Sequence, residues 1–292
     1  MAQRRWQEKA IQLTLVAMAT TSLLVVVLIF LFLGKEAIPF LKDPGIARLL
    51  DRQWMPVSFQ QEHFGLLPLL TGSLVVTLTA TLITVPFSVL GAIYIAEIAR
   101  PLEREFLKPF IELLASIPSV VLGFFGLVVL APLVKALFGL PSGLNGLTGG
   151  LLLALMAIPT VISISEDAIT SVPRHLKQAS LALGASELQT ILRVTVPAAL
   201  PGIIAAVMLG MGRIVGETMV VMMVTGNAAL VTLNPFQSVR TMTATIAAEM
   251  GEVSFGSIHY SALFCVGVVL MLVTFVLNLG AQRVLKRYGM MT

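Results

Sequence analysis

Long runs of apolar residues are the feature that most constrains the fold of this chain. Six such runs are long enough for an α-helix to cross the hydrocarbon core of a bilayer, which takes about 20 residues. Of the 292 residues, 57% are hydrophobic and only 12% are charged, which excludes an ordinary soluble domain. The sequence therefore predicts an all-α integral membrane protein with one bundle of six transmembrane helices. The predicted spans are residues 12–33, 68–96, 109–134, 148–165, 198–224 and 261–281.

The first span and the loop after it form a separate N-terminal part in this interpretation. Three basic residues precede the span, as in a signal peptide, but its apolar run is longer than a signal peptide's and no small-residue cleavage pattern follows. We therefore expect a retained anchor. The predicted organisation is an anchor helix and outer loop at 1–67, the main transmembrane domain at 68–282 and a tail at 283–292.

The distribution of basic residues predicts the orientation in the membrane. When the N-terminus is placed in the cytoplasm, twelve of the 19 lysines and arginines fall on the cytoplasmic side, as the positive-inside rule requires. Both termini are thus predicted to be cytoplasmic, and the net charge of +4 needs no nucleic-acid partner. A single cysteine, Cys265, excludes an internal disulfide, and three scattered histidines make a metal site unexpected.

A polar segment from Pro173 to Pro201 interrupts the apolar pattern. Two short helices are predicted there, with a break at Gly184 and with Ser186 and Gln189 as a capping box at the start of the second. In the first helix, four residues share one face by their spacing: Leu176, Ala179, Ser180 and Leu183. The pair is expected to lie outside the bilayer, on the cytoplasmic side, as a docking element.

Arg213 and Glu217 are predicted to lie inside the fifth span. Charged side chains at this depth are costly, so both are expected to face the bundle interior, and their spacing of four allows an ion pair within one helix. One hypothesis is that Arg213 binds a passing oxyanion while Glu217 partly neutralises it. The alternative is a structural pair, with Gly212 and Gly216 giving close helix packing.

Weaker signals come from other polar residues in or near the spans. Ser119 follows Pro118, where a helix kink would free a backbone carbonyl, so it is a candidate pathway residue. The threonines of the second span either line a polar path or bond to their own backbone. Glu166 and Asp167 are expected in a solvated position at the inner end of the fourth span, with a structural role. No residue is predicted to be catalytic.

The segment around Gly184 resembles the cytoplasmic coupling signature of ABC importer permeases. That signature is Glu-Ala-Ala, three residues, glycine, and a leucine-proline pair further on; here Gln178-Ala179-Ser180, Gly184 and Val196-Pro197 stand in the same spacing. Glutamine replaces the opening acid and serine the second alanine. The resemblance implies a type I permease bundle in which this helix pair contacts an ATPase subunit. The coupling residues implied are Gln178, Ala179, Ser180, Leu183, Gly184, Ala185 and Pro197.

Three further motifs resemble the PstC-type phosphate permease subunits of such importers. They are the stretch Gly212 to Met219 with Gly226-Asn227, the stretch Ile117 to Val121 with Gly123 and Gly126, and the stretch His259 to Leu263. The resemblance implies a bacterial inner-membrane protein whose substrate pathway includes Arg213, Glu217, Thr218 and Ser119. It also implies four partners: a second related permease subunit, a dimer of ATPase subunits, a phosphate-binding protein outside and the lipid bilayer.

The energy source is predicted to lie on another polypeptide. The sequence contains no Gly-x-x-x-x-Gly-Lys-Ser/Thr motif, so no cofactor is expected here and ATP would be bound by the partner. Three alternatives stay open at this point. They are a permease for another oxyanion such as sulfate or molybdate, an ion-driven secondary transporter or channel, and a membrane scaffold or receptor that transports nothing.

Overall fold

The computed structural model describes residues 2–58 and 61–287, and it is built almost entirely from helices. Twelve α-helices follow one another in the chain: α1 Ala2–Phe40, α2 Leu67–Ile93, α3 Pro101–Ala115, α4 Ser119–Phe125, α5 Ala131–Phe138, α6 Gly146–Thr170, α7 Arg174–Ala182, α8 Glu187–Thr190, α9 Val196–Gly216, α10 Met219–Val224, α11 Met242–Glu249 and α12 Ile258–Arg287. Two short antiparallel strands, β1 Trp54–Met55 and β2 His63–Phe64, lie between α1 and α2.

Among the described residues, six helical segments are long and apolar enough to cross a bilayer, which confirms the predicted number of spans and the all-α membrane fold. Some of them join two helices through a wider helical turn. The segments are Ile11–Leu50, Leu67–Ile98, Ser119–Phe138, Gly146–Thr170, Glu187–Gly216 and Ile258–Gly280.

The centre of the bundle is formed by α2, α6 and α9, with α4 and α10 packed beside them. Small residues on α6 allow the close approach. A Cβ atom at Gly150 would lie 2.6 Å from the side chain of Thr79, and one at Gly149 would lie 2.7 Å from that of Thr225. Larger residues at either position would push the helices apart, so the position of α6 depends on these glycines.

A second core lies where α1 packs against α12. The predicted outer loop takes part in it within residues 34–58 and 61–67, because Phe40, Trp54 and Phe64 are buried together with residues of α12. The aromatic rings of Trp54 and Phe64 meet edge to face with centroids 6.1 Å apart. Helix α11 also contributes to this core, because its Met242 is buried there.

The predicted start of the third span is wrong. The span begins at Ser119, and residues 101–115 form the separate helix α3, with a break at Ser116 to Pro118. Pro118 precedes α4 instead of kinking a helix from within, because a proline has no N–H to donate and suits a helix start. At the other end of the chain, α12 continues to Arg287, so residues 283–287 of the predicted tail are helical, while 288–292 lie outside the described residues.

Candidate functional site

The helix pair predicted from the polar segment is confirmed as α7 and α8. Gly184 adopts a φ of +85° between them, a backbone conformation that favours glycine. Ser186 and Gln189 form the predicted capping box: the Gln189 N–H donates to Ser186 Oγ at 3.2 Å, and the Ser186 N–H donates to Gln189 Oε1 at 3.0 Å. The hydroxyls of Ser180 and Thr190 lie 2.9 Å apart and join the two helices.

An open groove of about 360 Å³ lies between α7 and α8. Four of the predicted coupling residues line it: Ala179, Ser180, Leu183 and Ala185. Leu183 is 89% exposed at the rim of this groove. The groove is apolar with one basic side chain, Arg193, at its wall.

The remaining predicted coupling residues do not line the groove. Gln178 is exposed on α7, Gly184 forms the turn, and Pro197 is exposed in the first turn of α9. A Cβ atom at Gly184 would meet no atom within 4 Å. The requirement for glycine there therefore comes from the positive φ and not from close packing.

The predicted ion pair between Arg213 and Glu217 is wrong. Residues four apart share a face only while the helix is continuous, and α9 ends at Gly216. Glu217 is extended, and its Oε1 accepts hydrogen bonds from the N–H groups of Met219 and Val220 at 3.1 and 3.3 Å. Its carboxylate therefore caps the N-terminus of α10.

Arg213 has a neutral partner instead. Its Nη1 donates to the hydroxyl of Thr160 on α6 at 3.1 Å, and it makes no ion pair in the described part of the chain. The predicted close packing at Gly212 and Gly216 is also absent among the described residues, since a Cβ atom at either position would meet none of their atoms within 4 Å. The guanidinium is left with a positive charge that no carboxylate of the described residues offsets.

Other contacts hold the break between α9 and α10. Thr243 Oγ1 donates to the carbonyl of Glu217 at 2.8 Å, and Thr218 Oγ1 donates to the carbonyl of Gly216 at 3.3 Å. Thr218 thus faces its own backbone in this conformation. Ser119 is half-buried at the start of α4, which packs on α10 where Gly123 approaches Met223 and Val220. The candidate pathway residues therefore belong to α4, to α9 and to the break that follows α9.

Two of the five threonines of the second span follow the local alternative, whereas the buried hydroxyls of Thr81 and Thr84 have no hydrogen-bond partner among the described residues. Thr71 and Thr79 donate to carbonyls of their own helix at 2.9 and 2.7 Å. Ser73 differs, because its Oγ accepts the N–H of Met242 at 3.0 Å. These contacts favour a structural role for the threonines at 71 and 79.

Glu166 is buried, which corrects the prediction of a solvated position. It accepts hydrogen bonds from Arg104 and Lys108 of α3, the latter at 2.8 Å, and from Thr170 at 3.0 Å. Asp167 is 70% exposed as predicted and lies 3.1 Å from Lys108. The hydrogen bond to Glu166 and, to a smaller extent, the hydrogen bond to Asp167 raise the pKa of Lys108. Both acids have structural contacts, which tie α3 to the end of α6.

Sequence reasoning missed Glu249, around which a polar cluster forms at the end of the bundle that holds α11. Trp54 Nε1 donates to its carboxylate at 3.1 Å, Arg240 lies 2.9 Å away and His259 2.8 Å away. These partners come from the segment between α1 and α2, the segment before α11 and the first turn of α12. The spacing of these residues along the chain does not predict the cluster. Only the aromatic and acidic composition of those segments is consistent with it.

Comparison with known proteins places this architecture in a family. The family described as binding-protein-dependent transport system inner membrane component matches residues 88–289. A probable ABC transporter permease protein, YqgH of Bacillus subtilis (strain 168), is 39% identical over 85% of this chain and 81% of its own length. The phosphate transport system permease protein PstC of Mesorhizobium japonicum is 34% identical over 89% of this chain and 86% of its own.

Solved structures give the same fold at lower identity. A bacterial ABC transporter involved in the import of the acidic polysaccharide alginate aligns with a TM-score of 0.64 and 17% identity over 97% of this chain and 99% of its own. The MetNI methionine ABC transporter, in an inward-facing conformation, aligns with a TM-score of 0.57 and 21% identity over 77% of this chain and 94% of its own. With the family match over most of its length and the PstC homologues, the chain belongs to the binding-protein-dependent family of ABC importer permeases.

Proposed function

We propose that this permease translocates inorganic phosphate as one subunit of an ATP-driven importer. In this assembly it pairs with a second, related permease subunit, a dimer of ATPase subunits and a phosphate-binding protein outside the cell. The relative PstC from Mesorhizobium japonicum, a phosphate permease by name, supports the substrate. The name of the Bacillus subtilis relative specifies no substrate, so another oxyanion such as sulfate or molybdate is the second candidate.

The open groove of α7 and α8 carries the assignment of ATPase coupling. It combines an apolar floor, an exposed leucine and a fixed turn, and the two helices are joined by their own hydroxyls. A rigid exposed apolar surface of this kind suits a partner protein because little ordering is needed on binding. ATP hydrolysis would take place on that partner, and the movement of α7 and α8 would alternate the access of the bundle.

Arg213 is the proposed contact for the passing anion. Its guanidinium is bound to one neutral hydroxyl and carries no ion pair within the described residues, so an oxyanion can replace or add to that contact. A weakly held arginine also suits transport, because a tightly bound anion would leave slowly. Glu217 acts on the path indirectly in this proposal, by holding α10 in place through its backbone N–H groups.

The substitution Leu183→Asp tests the docking assignment. Placing a carboxylate in the groove should abolish co-purification of the ATPase subunits while the spans still insert, because Leu183 makes its exposed surface apolar. Leu181→Asp is the matched control, since Leu181 is exposed on α7 but does not line the groove. Deletion of residues 178–189 should have the same effect as Leu183→Asp. Retained ATP-coupled uptake in the deletion would refute the assignment.

A further inference from the structure

Helix α7 is attached to the rest of the protein through few side chains. Of its nine residues, Lys177 and Ser180 are half-buried and the other seven are exposed. Ser180 joins α7 to α8 through the hydroxyl of Thr190. Lys177 pairs with the carboxylate of Glu97, which lies in the last helical turn of the second span. Besides Ser180, α7 also packs on residues 191–195, at the start of the fifth span. Lys177 is therefore the side chain that ties α7 to the second span in particular.

The pair of Lys177 and Glu97 is better shielded than an ordinary surface ion pair. Lys177 is 24% exposed and Glu97 is 12% exposed. Exposed pairs contribute little, whereas removing one partner of a shielded pair leaves an uncompensated charge. Glu97 is also held firmly, because Ile95 in the same turn is buried against Ile162 and Ile169 of α6. A displacement of α7 would thus act on a firmly packed part of the second span.

The other end of the second span contacts the opposite end of the bundle. A Cβ atom at Gly72 would lie 2.2 Å from the carbonyl oxygen of Arg240, and Ser73 Oγ accepts the N–H of Met242. Arg240 is in turn paired with Glu249 in the polar cluster. The span Leu67–Ile98 has 32 residues and so is about 48 Å long. One helical segment therefore touches α7 at one end and the segment before α11 at the other.

We propose that Lys177 and Glu97 are positioning residues that make the second span move with the coupling helix α7. The ion pair would transmit the displacement that ATPase closure imposes on α7, and the continuous helical span would carry it to the segment at Arg240. Without the pair, α7 would move while the span stays in place. This inference rests on the proposed function, in which the ATPase docks on α7 and α8.

The experiment uses the complete importer, with its second permease, ATPase subunits and binding protein, in liposomes. The variants are Glu97→Gln, Lys177→Met, the conservative Lys177→Arg and the charge swap that combines Glu97→Lys with Lys177→Glu. Two quantities are measured for each: co-purification of the ATPase subunits, and labelled phosphate imported per ATP hydrolysed. Lys35→Met is the matched control, because Lys35 is 79% exposed and lies 3.9 Å from its acidic partner Glu36.

Both neutralising variants should keep the ATPase subunits bound but import at least about five-fold less phosphate per ATP, a typical size for coupling between sites. Lys177→Arg, the charge swap and Lys35→Met should stay near the unmodified ratio. A normal ratio in Glu97→Gln and Lys177→Met would overturn the proposal, and so would a charge swap as impaired as they are. Loss of the ATPase subunits in the single variants would also overturn it. A failure of the proposed function itself would show differently, as no ATP-dependent phosphate uptake by the unmodified complex.

Discussion

Arg213 shows how a single side chain can be predicted as important while its partner is predicted wrongly. The cost of a charge inside a span identified it from sequence. The ion pair with Glu217 was assumed from helical spacing, which holds only in an unbroken helix. In the structure the hydroxyl of Thr160 is the partner, and Thr160 lies on a different helix. The proposal that Arg213 contacts the passing anion rests on this neutral partner.

Replacement of Arg213 should reduce transport more than assembly. For Arg213→Ala we expect phosphate uptake to fall roughly ten-fold or more, because a hydrogen bond to a charged group is lost. Phosphate uptake by Arg213→Lys should lie between that of Arg213→Ala and that of the unmodified protein, since lysine keeps the charge but loses the planar guanidinium fork. Uptake of labelled phosphate at matched membrane abundance measures this. The control is Lys135→Ala, an exposed basic residue on α5, and full uptake by both Arg213 variants would contradict the pathway role.

Glu166 and Asp167 are neighbours in sequence, but Glu166 is buried and Asp167 is exposed. Comparing them therefore shows how much burial adds to the stabilising effect of a single carboxylate. Glu166→Gln should lower the free energy of unfolding by about 2 kcal/mol, because two cations of α3 lose their buried partner but remain partly solvated. Asp167→Asn should cost less than about 0.5 kcal/mol, since the acid is exposed. Thermal unfolding in detergent compares them. If the two substitutions lowered the free energy of unfolding equally, the buried contacts of Glu166 with α3 would stabilise the protein no more than the exposed contact of Asp167 does.

At the scale of elements, the break between α9 and α10 is the feature that differs most from the sequence prediction. The apolar run 198–224 reads as one span, yet the helix stops at Gly216 and restarts at Met219. Glu217 makes the restart possible by accepting the two N–H groups that no helical carbonyl can reach. The carboxylate that sequence reasoning assigned to charge neutralisation thus acts on the backbone.

Two substitutions at Glu217 separate its capping role from its charge. Glu217→Ala should lower the free energy of unfolding by about 1 kcal/mol, the usual cost of losing a helix cap. Glu217→Gln keeps an acceptor oxygen and should cost less than half of that. Thermal unfolding in detergent measures both. If Gln is as harmful as Ala, the negative charge and not the cap stabilises the break.

Local rules explain which elements could be predicted. Length and composition alone give the six spans, because a bilayer demands about 20 apolar residues. Glycine with a positive φ and a capping box lie within a few residues of each other, so α7 and α8 were predictable too. The start of the third span was not, since the apolar residues of α3 continue past the break at Pro118. The contacts of Lys108 with Glu166 and of Trp54 with Glu249 were not either, because these residues are distant in sequence.

At the scale of the whole molecule, the orientation in the membrane follows from basic residues and can be tested with thiols. Leu183→Cys should react with a membrane-impermeant reagent only in inside-out vesicles, because α7 and α8 are proposed to be cytoplasmic. Phe255→Cys, 90% exposed near the start of α12, should react only in right-side-out vesicles. The native Cys265 is buried and should not react with the reagent in either kind of vesicle. Labelling of both positions from the same side would contradict the proposed topology.

The second span connects the two ends of the bundle, and so it links the local features into one proposed mechanism. At one end lies the ion pair with α7, and at the other lie Gly72 and Ser73 against the segment before α11. Between them, α2 packs along α6, whose Thr160 holds Arg213. A movement of α7 would therefore pass close to the candidate anion contact before it reached the far side of the protein.

Uptake of labelled phosphate into liposomes that contain the complete importer is the sharpest test of the proposed function. We expect uptake only when ATP is present on the side of the ATPase subunits and the phosphate-binding protein is present on the other side. Excess unlabelled phosphate should abolish the signal, whereas excess sulfate or molybdate should leave it. Uptake driven by an ion gradient without ATP, or ATP-dependent import of sulfate or molybdate in place of phosphate, would contradict the account.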